Sequence, residues 1–98
     1  MADGLTLRVP SYDSTRGVVA PVEGGSVVVM LQDDAVLISA DPAGLRDLAR
    51  WCMVLSDPDA FSGCHVHLDP LTTPLTRSSL PLVITRRDDL GSSAESSA

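Results

Sequence analysis

The chain has 98 residues, 44% of them hydrophobic, and a net charge of −6, which bounds it to one small acidic domain. Its seven basic residues are all arginine and its acidic residues are scattered; a spread negative charge argues against nucleic-acid binding, because phosphate contacts need clustered Lys or Arg. No apolar stretch approaches the roughly 20 residues of a spanning helix, and Met1-Ala2-Asp3-Gly4 lacks the basic and apolar regions of a signal peptide, so a cytoplasmic protein with free thiols at Cys52 and Cys64 is expected.

Leu5-Thr6-Leu7-Arg8-Val9 alternates apolar and polar and reads as a short half-buried strand. Residues 10–26 are rich in Pro, Gly and Ser; Val18–Val22 could form a strand there, which Pro21 would confine to an edge. Val27-Val28-Val29-Met30-Leu31 is a strong β signal. Gln32-Asp33-Asp34-Ala35 reads as a tight turn and Val36–Ala40 as the return strand of a hairpin. Asp41-Pro42 starts a helix, with the carboxylate capping free N–H groups and proline at the first helical position. The helix should run to about Leu55, with Leu45, Leu48, Ala49, Cys52 and Leu55 on its buried stripe. On that reading Arg46, Asp47 and Arg50 face away and Trp51 is partly exposed at the core's edge. After a loop at 59–63, His65–Leu68 is the next strand. A long Thr/Pro connection, 71–79, leads to a final strand at Leu80–Arg86. Residues 1–90 form one domain on this reading, and the Gly/Ser/Ala tail 91–98 is expected to be disordered.

The expected fold is therefore α+β: a four- to five-stranded, mostly antiparallel sheet with one helix, about 42–55, on one face. In the hairpin Leu31 sits opposite Val36, with either a two-residue turn or a four-residue loop. Val27, Val29, Leu31, Val36, Ile38 and Ala40 then share the face toward the helix, and Val28, Met30 and Leu37 the opposite one. Cys64, Val66 and Leu68 should also turn inward, leaving His65, His67 and Asp69 outward. One helix covers one face, so an apolar patch rimmed by two imidazoles and a carboxylate needs a cover: residues 10–26, a second copy, or a partner. Val28, Met30, Leu37, His65, His67 and Asp69 are the candidate partner-binding residues.

The two histidines are the unusual feature of the chain. Positions i and i+2 on a strand lie roughly 6.6 Å apart, so His65 and His67 could chelate one ion. Even a catalytic zinc needs about three protein ligands, and there is no third histidine. Asp69 is too distant unless the chain turns at Asp69-Pro70, Cys64 points away, and Cys52 falls on the helix stripe. The string His-x-His-x-Asp matches the opening of the metallo-β-lactamase motif, but Pro70 stands where that motif has its next His. Gly-x-Ser-x-Gly, Cys-x-x-Cys and a phosphate-binding glycine loop are all missing, so no catalytic residue, metal or cofactor is assigned.

The order of elements carries a resemblance. Ala35-Val36-Leu37-Ile38-Ser39-Ala40 runs into Asp41-Pro42-Ala43-Gly44-Leu45-Arg46-Asp47-Leu48-Ala49-Arg50; His65-Val66-His67-Leu68-Asp69 follows; a loop ending at Ser79 precedes Leu80-Pro81-Leu82-Val83-Ile84. Over about residues 35–87 this resembles immunity protein family 32 of bacterial polymorphic toxin systems. The resemblance implies a non-enzymatic protein that binds and neutralises a cognate toxin. An acidic chain would favour a basic partner. The alternatives from other classes are a small metal-binding protein or metal-dependent enzyme built on His65 and His67, and a self-associating homodimer.

Overall fold

The computed structural model describes residues 4–70 and 74–90. The tail expected to be disordered, 91–98, and residues 71–73 of the long connection lie outside the described residues. The fold is α+β. Strands β1 (Val27–Gln32) and β2 (Ala35–Ala40) form one antiparallel hairpin, helix α1 (Pro42–Leu55) follows, and β3 (His65–Leu68) pairs antiparallel with β4 (Leu82–Thr85). The four strands lie in two separate two-stranded sheets rather than one continuous sheet. The expected strand at Leu5–Val9 and the optional one at Val18–Val22 are irregular segments.

The first hairpin closes in the expected register, Leu31 opposite Val36 and Gln32 opposite Ala35. Its turn is the two-residue kind. Asp33 and Asp34 both take left-handed backbone angles, φ 52° and 66°. That is the twist-matched turn of tight hairpins, and Asp tolerates it better than most side chains. At the base, Asp41 N–H donates to the Ser26 carbonyl and Ser26 N–H to Asp41 Oδ1. The same carboxylate oxygen accepts Gly44 N–H at 2.7 Å, so Asp41 closes the hairpin and caps the helix at once.

The outer edge of β1 is filled by the chain itself. Val27 N–H donates to Pro74 O, Thr76 N–H to Val27 O, and Leu80 N–H to Val29 O; Val29 N–H donates to Ser79 Oγ at 2.8 Å. Residues 74–80, from the connection between β3 and β4, thus lie along the first hairpin and tie the two sheets together. At the other end of the second hairpin, Gly63 N–H donates to Arg86 O and Arg86 N–H to Cys64 O. The Arg86 guanidinium donates to Leu55 O and Asp57 O, satisfying carbonyls where α1 ends.

The core forms where these parts meet. Val27, Val29, Trp51, Leu68 and Leu75 make one buried cluster, against which Val18, Ala20, Leu48, Val66 and Leu82 pack. Leu55, Ala60 and Cys64 make a second, with Tyr12, Val18, Val66 and Ile84 against it. Residues 10–26 therefore supply core side chains. The inward direction of Cys64, Val66 and Leu68 is as expected.

The helix is rolled relative to the expected stripe. Its buried residues are Gly44, Asp47, Trp51, Val54 and Leu55, while Leu45 is 53% exposed and Cys52 is also exposed. Trp51 is a core residue, and Asp47 is fully buried. The reason is polar. Glu23 N–H donates to Asp47 Oδ1 at 2.7 Å and Gly25 N–H to Asp47 Oδ2 at 3.1 Å. Asp47 must face the 23–25 loop to accept them, and Trp51, one turn later on the same side, turns inward with it.

Candidate partner-binding surface

The first hairpin is buried only at its base. Val27 and Val29 are in the core, but further along Leu31 is 71% and Val36 66% exposed, as a cross-strand pair on the face expected to bed the helix. The helix lies across the base and leaves this pair uncovered. On the opposite face Met30 pairs with Leu37, both a little over one-third exposed, and Val28 below them is half-buried. The distal half of the hairpin is thus an apolar ribbon open on both faces.

The second hairpin presents a more polar face. His65 stands opposite Thr85 and His67 opposite Val83, and all four are exposed. Their strand neighbours Val66, Leu68, Leu82 and Ile84 turn inward, which is the two-residue alternation of a half-buried hairpin. The His65 Nδ1 atom lies 3.3 Å from Gly63 O. Asp69 follows β3 and is half-buried. Of the six candidate residues, the structure brings Met30 and Leu37 into direct register and sets His65 and His67 on one exposed face. Val28, Met30 and Leu37 belong to one sheet; His65 and His67 belong to the other.

A polar cluster beside the helix was hidden from sequence reasoning. Glu23 accepts two charge-assisted bonds from Arg46, both 2.7 Å, and one from Arg50 at 2.6 Å; Arg50 also bonds Asp47 at 3.0 Å. The Arg46 and Arg50 guanidinium groups hold the Glu23 carboxyl down at about 2. Its one sequence signal was the spacing of Arg46 and Arg50, one helical turn apart on a single side. Every member is bonded to another, so the cluster fastens the 23–25 loop to the helix. Asp41 and Asp57 are likewise held below the ordinary carboxylate range, Asp41 by the N–H groups of Gly44 and Ser26, Asp57 by those of Tyr12 and Asp59.

Among the described residues, no three His, Cys, Asp or Glu side chains gather where they could hold a metal ion. The Cys64 thiol is buried, 3.7 Å from the Tyr12 hydroxyl, and that contact raises the tyrosine's pKa. No helix among the described residues is long and apolar enough to cross a membrane.

What these features define is a small α+β domain with exposed apolar strands and an internally satisfied polar cluster. Residues 35–87 match the family model for immunity protein 32, which covers more than half of the chain. The chain belongs to that family of immunity proteins, and membership suggests a toxin-neutralising role. Immunity proteins generally bind a protein partner and are generally non-enzymatic. No curated protein matches the chain. No solved structure matches it either.

Proposed function

We propose that this chain neutralises a cognate toxin in the bacterial cytoplasm by direct contact, without catalysis. Val28, Met30 and Leu37 on the first hairpin and His65, His67 and Asp69 on the second form the contacting residues. The observation that carries this reading is the exposed apolar ribbon at Met30, Leu31, Val36 and Leu37 in a chain of the immunity family. Apolar side chains left open on both faces of a hairpin are unusual in a domain whose other strands bury one face, and mark a surface used in association. A net charge of −6 would speed encounter with a basic toxin.

The test is capture followed by protection. The full chain, tagged after Gly91, is used to retrieve partners from lysate of the source organism. The retrieved protein is then expressed alone and together with this chain. Growth arrest by the retrieved protein, relieved by co-expression, is the expected result. Retrieval of no growth-inhibiting protein overturns the reading.

A further inference from the structure

Strand β2 is exposed along nearly its whole length, and among the described residues its outer edge has no strand beside it. Residues 74–80 fill the other side of this hairpin, whereas none of the described residues forms a strand along the β2 side. Val36, Leu37 and Ile38 are 66%, 36% and 44% exposed, so both faces of the strand offer apolar side chains. An open edge presents unpaired N–H and C=O groups that template further pairing, and proteins usually blunt it with lysine, proline or a bulge. Residues 35–40 contain no charge and no proline, and their ladder with β1 is regular.

Charge decides what can pair there. Both ends of β2 are acidic, with Asp33 and Asp34 at the turn before it and Asp41 directly after it. A second copy laid antiparallel would set the Asp33-Asp34 turn of one chain beside Asp41 of the other, at both ends. A second copy laid parallel and in register would set each acidic end against its equivalent. Self-pairing in either sense brings like charges together, between chains that each carry −6.

We propose that β2 accepts an extended segment of a protein partner as a third strand, apolar in its centre and with Lys or Arg at both ends. The inference rests on the reading of the chain as a protein-binding immunity protein, and it specifies where the partner sits. Main-chain hydrogen bonds along the β2 edge supply affinity. Leu37 on one face, with Val36 and Ile38 on the other, select alternating apolar side chains, and the acidic ends select the flanking cations.

Two synthetic peptides test this, sharing a Val/Thr centre and ending in either Lys or Glu. Each is titrated into the isotope-labelled full chain while amide resonances and hydrogen exchange are followed. The Lys-ended peptide is expected to slow exchange within Ala35–Ala40 and to bind about tenfold more tightly than the Glu-ended one, with the gap closing at high salt. Ile38→Lys and, independently, Val36→Lys should abolish the protection; both positions are exposed, so two variants guard against one failing to fold. Equal binding of both peptides, no binding, or protection away from β2 overturns the proposal. So does a wild-type dimer, seen by sedimentation, that either variant converts to monomer, because the edge would then belong to a second copy. The two readings separate in the capture experiment. An Ile38→Lys chain that still retains the toxin removes the strand-accepting edge and leaves the immunity function. A wild-type chain that retrieves no toxin, yet is protected at β2 by the Lys-ended peptide, does the reverse.

Discussion

Gly25 and Gly44 meet backbone to backbone. A Cβ added to Gly25 would collide with the main chain of Ala43 and Gly44, and one added to Gly44 would come within 2.5 Å of the Ser26 carbonyl oxygen. This close seat is what lets the 23–26 loop hand its N–H groups to Asp41 and Asp47. Gly44→Ala ought to gain about 1 kcal/mol of helix propensity. The collision outweighs it, and a net loss of about 1–3 kcal/mol is expected in urea unfolding. A raised midpoint would show that the loop can retreat at no cost.

Asp47 is fully buried and accepts from Glu23 N–H, Gly25 N–H and Arg50. Asp47→Ala leaves two loop N–H groups without their acceptor and a largely buried guanidinium short of one partner. The expected loss is about 3–5 kcal/mol, a large part of the stability of a domain this size. Asp47→Asn keeps the shape and one acceptor oxygen, so it should fall between Ala and wild type. If Asn proves no better than Ala, the charge rather than the hydrogen-bond geometry fastens the loop.

Acid should loosen the same region. Glu23 has a folded-state pKa of about 2 against an ordinary 4.5, because Arg46 and Arg50 bond its ionised form. A depressed carboxyl contributes stability that is present above the unfolded value and is lost as pH falls from about 4.5 toward 2. Asp41 and Asp57 shift in the same direction and add to it. Thermal midpoints measured down this range should drop, and Glu23→Gln should flatten part of the slope. An unchanged slope in that variant would remove Glu23 from the account.

Asp34 holds φ at 66° at the hairpin turn. Asp34→Gly relieves that angle and removes one of two adjacent, mutually repelling carboxylates, for an expected gain of about 0.5–1 kcal/mol. The same change removes one acidic group beside β2, so on the strand-accepting reading it weakens binding of the Lys-ended peptide while stabilising the fold. A variant that is both more stable and unchanged in peptide binding would show that this carboxylate does not select the partner.

Met30→Arg places a charge on the exposed Met30–Leu37 pair. Circular dichroism should stay native and stability should change by no more than about 0.5 kcal/mol, because the side chain already reaches solvent. Capture of the toxin should be lost. Unfolding instead would mean that this face packs against the body of the protein. A paired His65→Ala and His67→Ala variant, on the other hairpin, then separates the two halves of the surface: retention of the toxin would confine the contact to the first hairpin.

Some of this architecture was legible because a few neighbouring residues decide it. The Asp41-Pro42 helix start, the end near Leu55 and the Leu31–Val36 register all follow from local capping, turn geometry and alternation. The outward direction of His65 and His67 followed from the same alternation, once Cys64, Val66 and Leu68 were turned inward. Of the candidate surface, the exposure of Met30, Leu37 and the two histidines was therefore readable.

The tertiary structure alone decided how those pieces sit. α1 carries apolar residues on two adjoining sides, Leu45, Ala49 and Cys52 on one, Trp51, Val54 and Leu55 on the other, so periodicity by itself could not choose which is buried. The choice was made by Asp47, drawn inward by N–H groups from a loop more than twenty residues earlier. Division of the strands into two sheets was likewise set at long range, when Leu75, Thr76 and Leu80 took the edge of β1. Residues 5–9 have a strand's alternation, but no strand pairs with them among the described residues, and alternation without a hydrogen-bonded neighbour makes no strand. Local sequence determines which shapes a segment can take; partners for buried polar groups and open edges, supplied from far along the chain, determine which one it keeps.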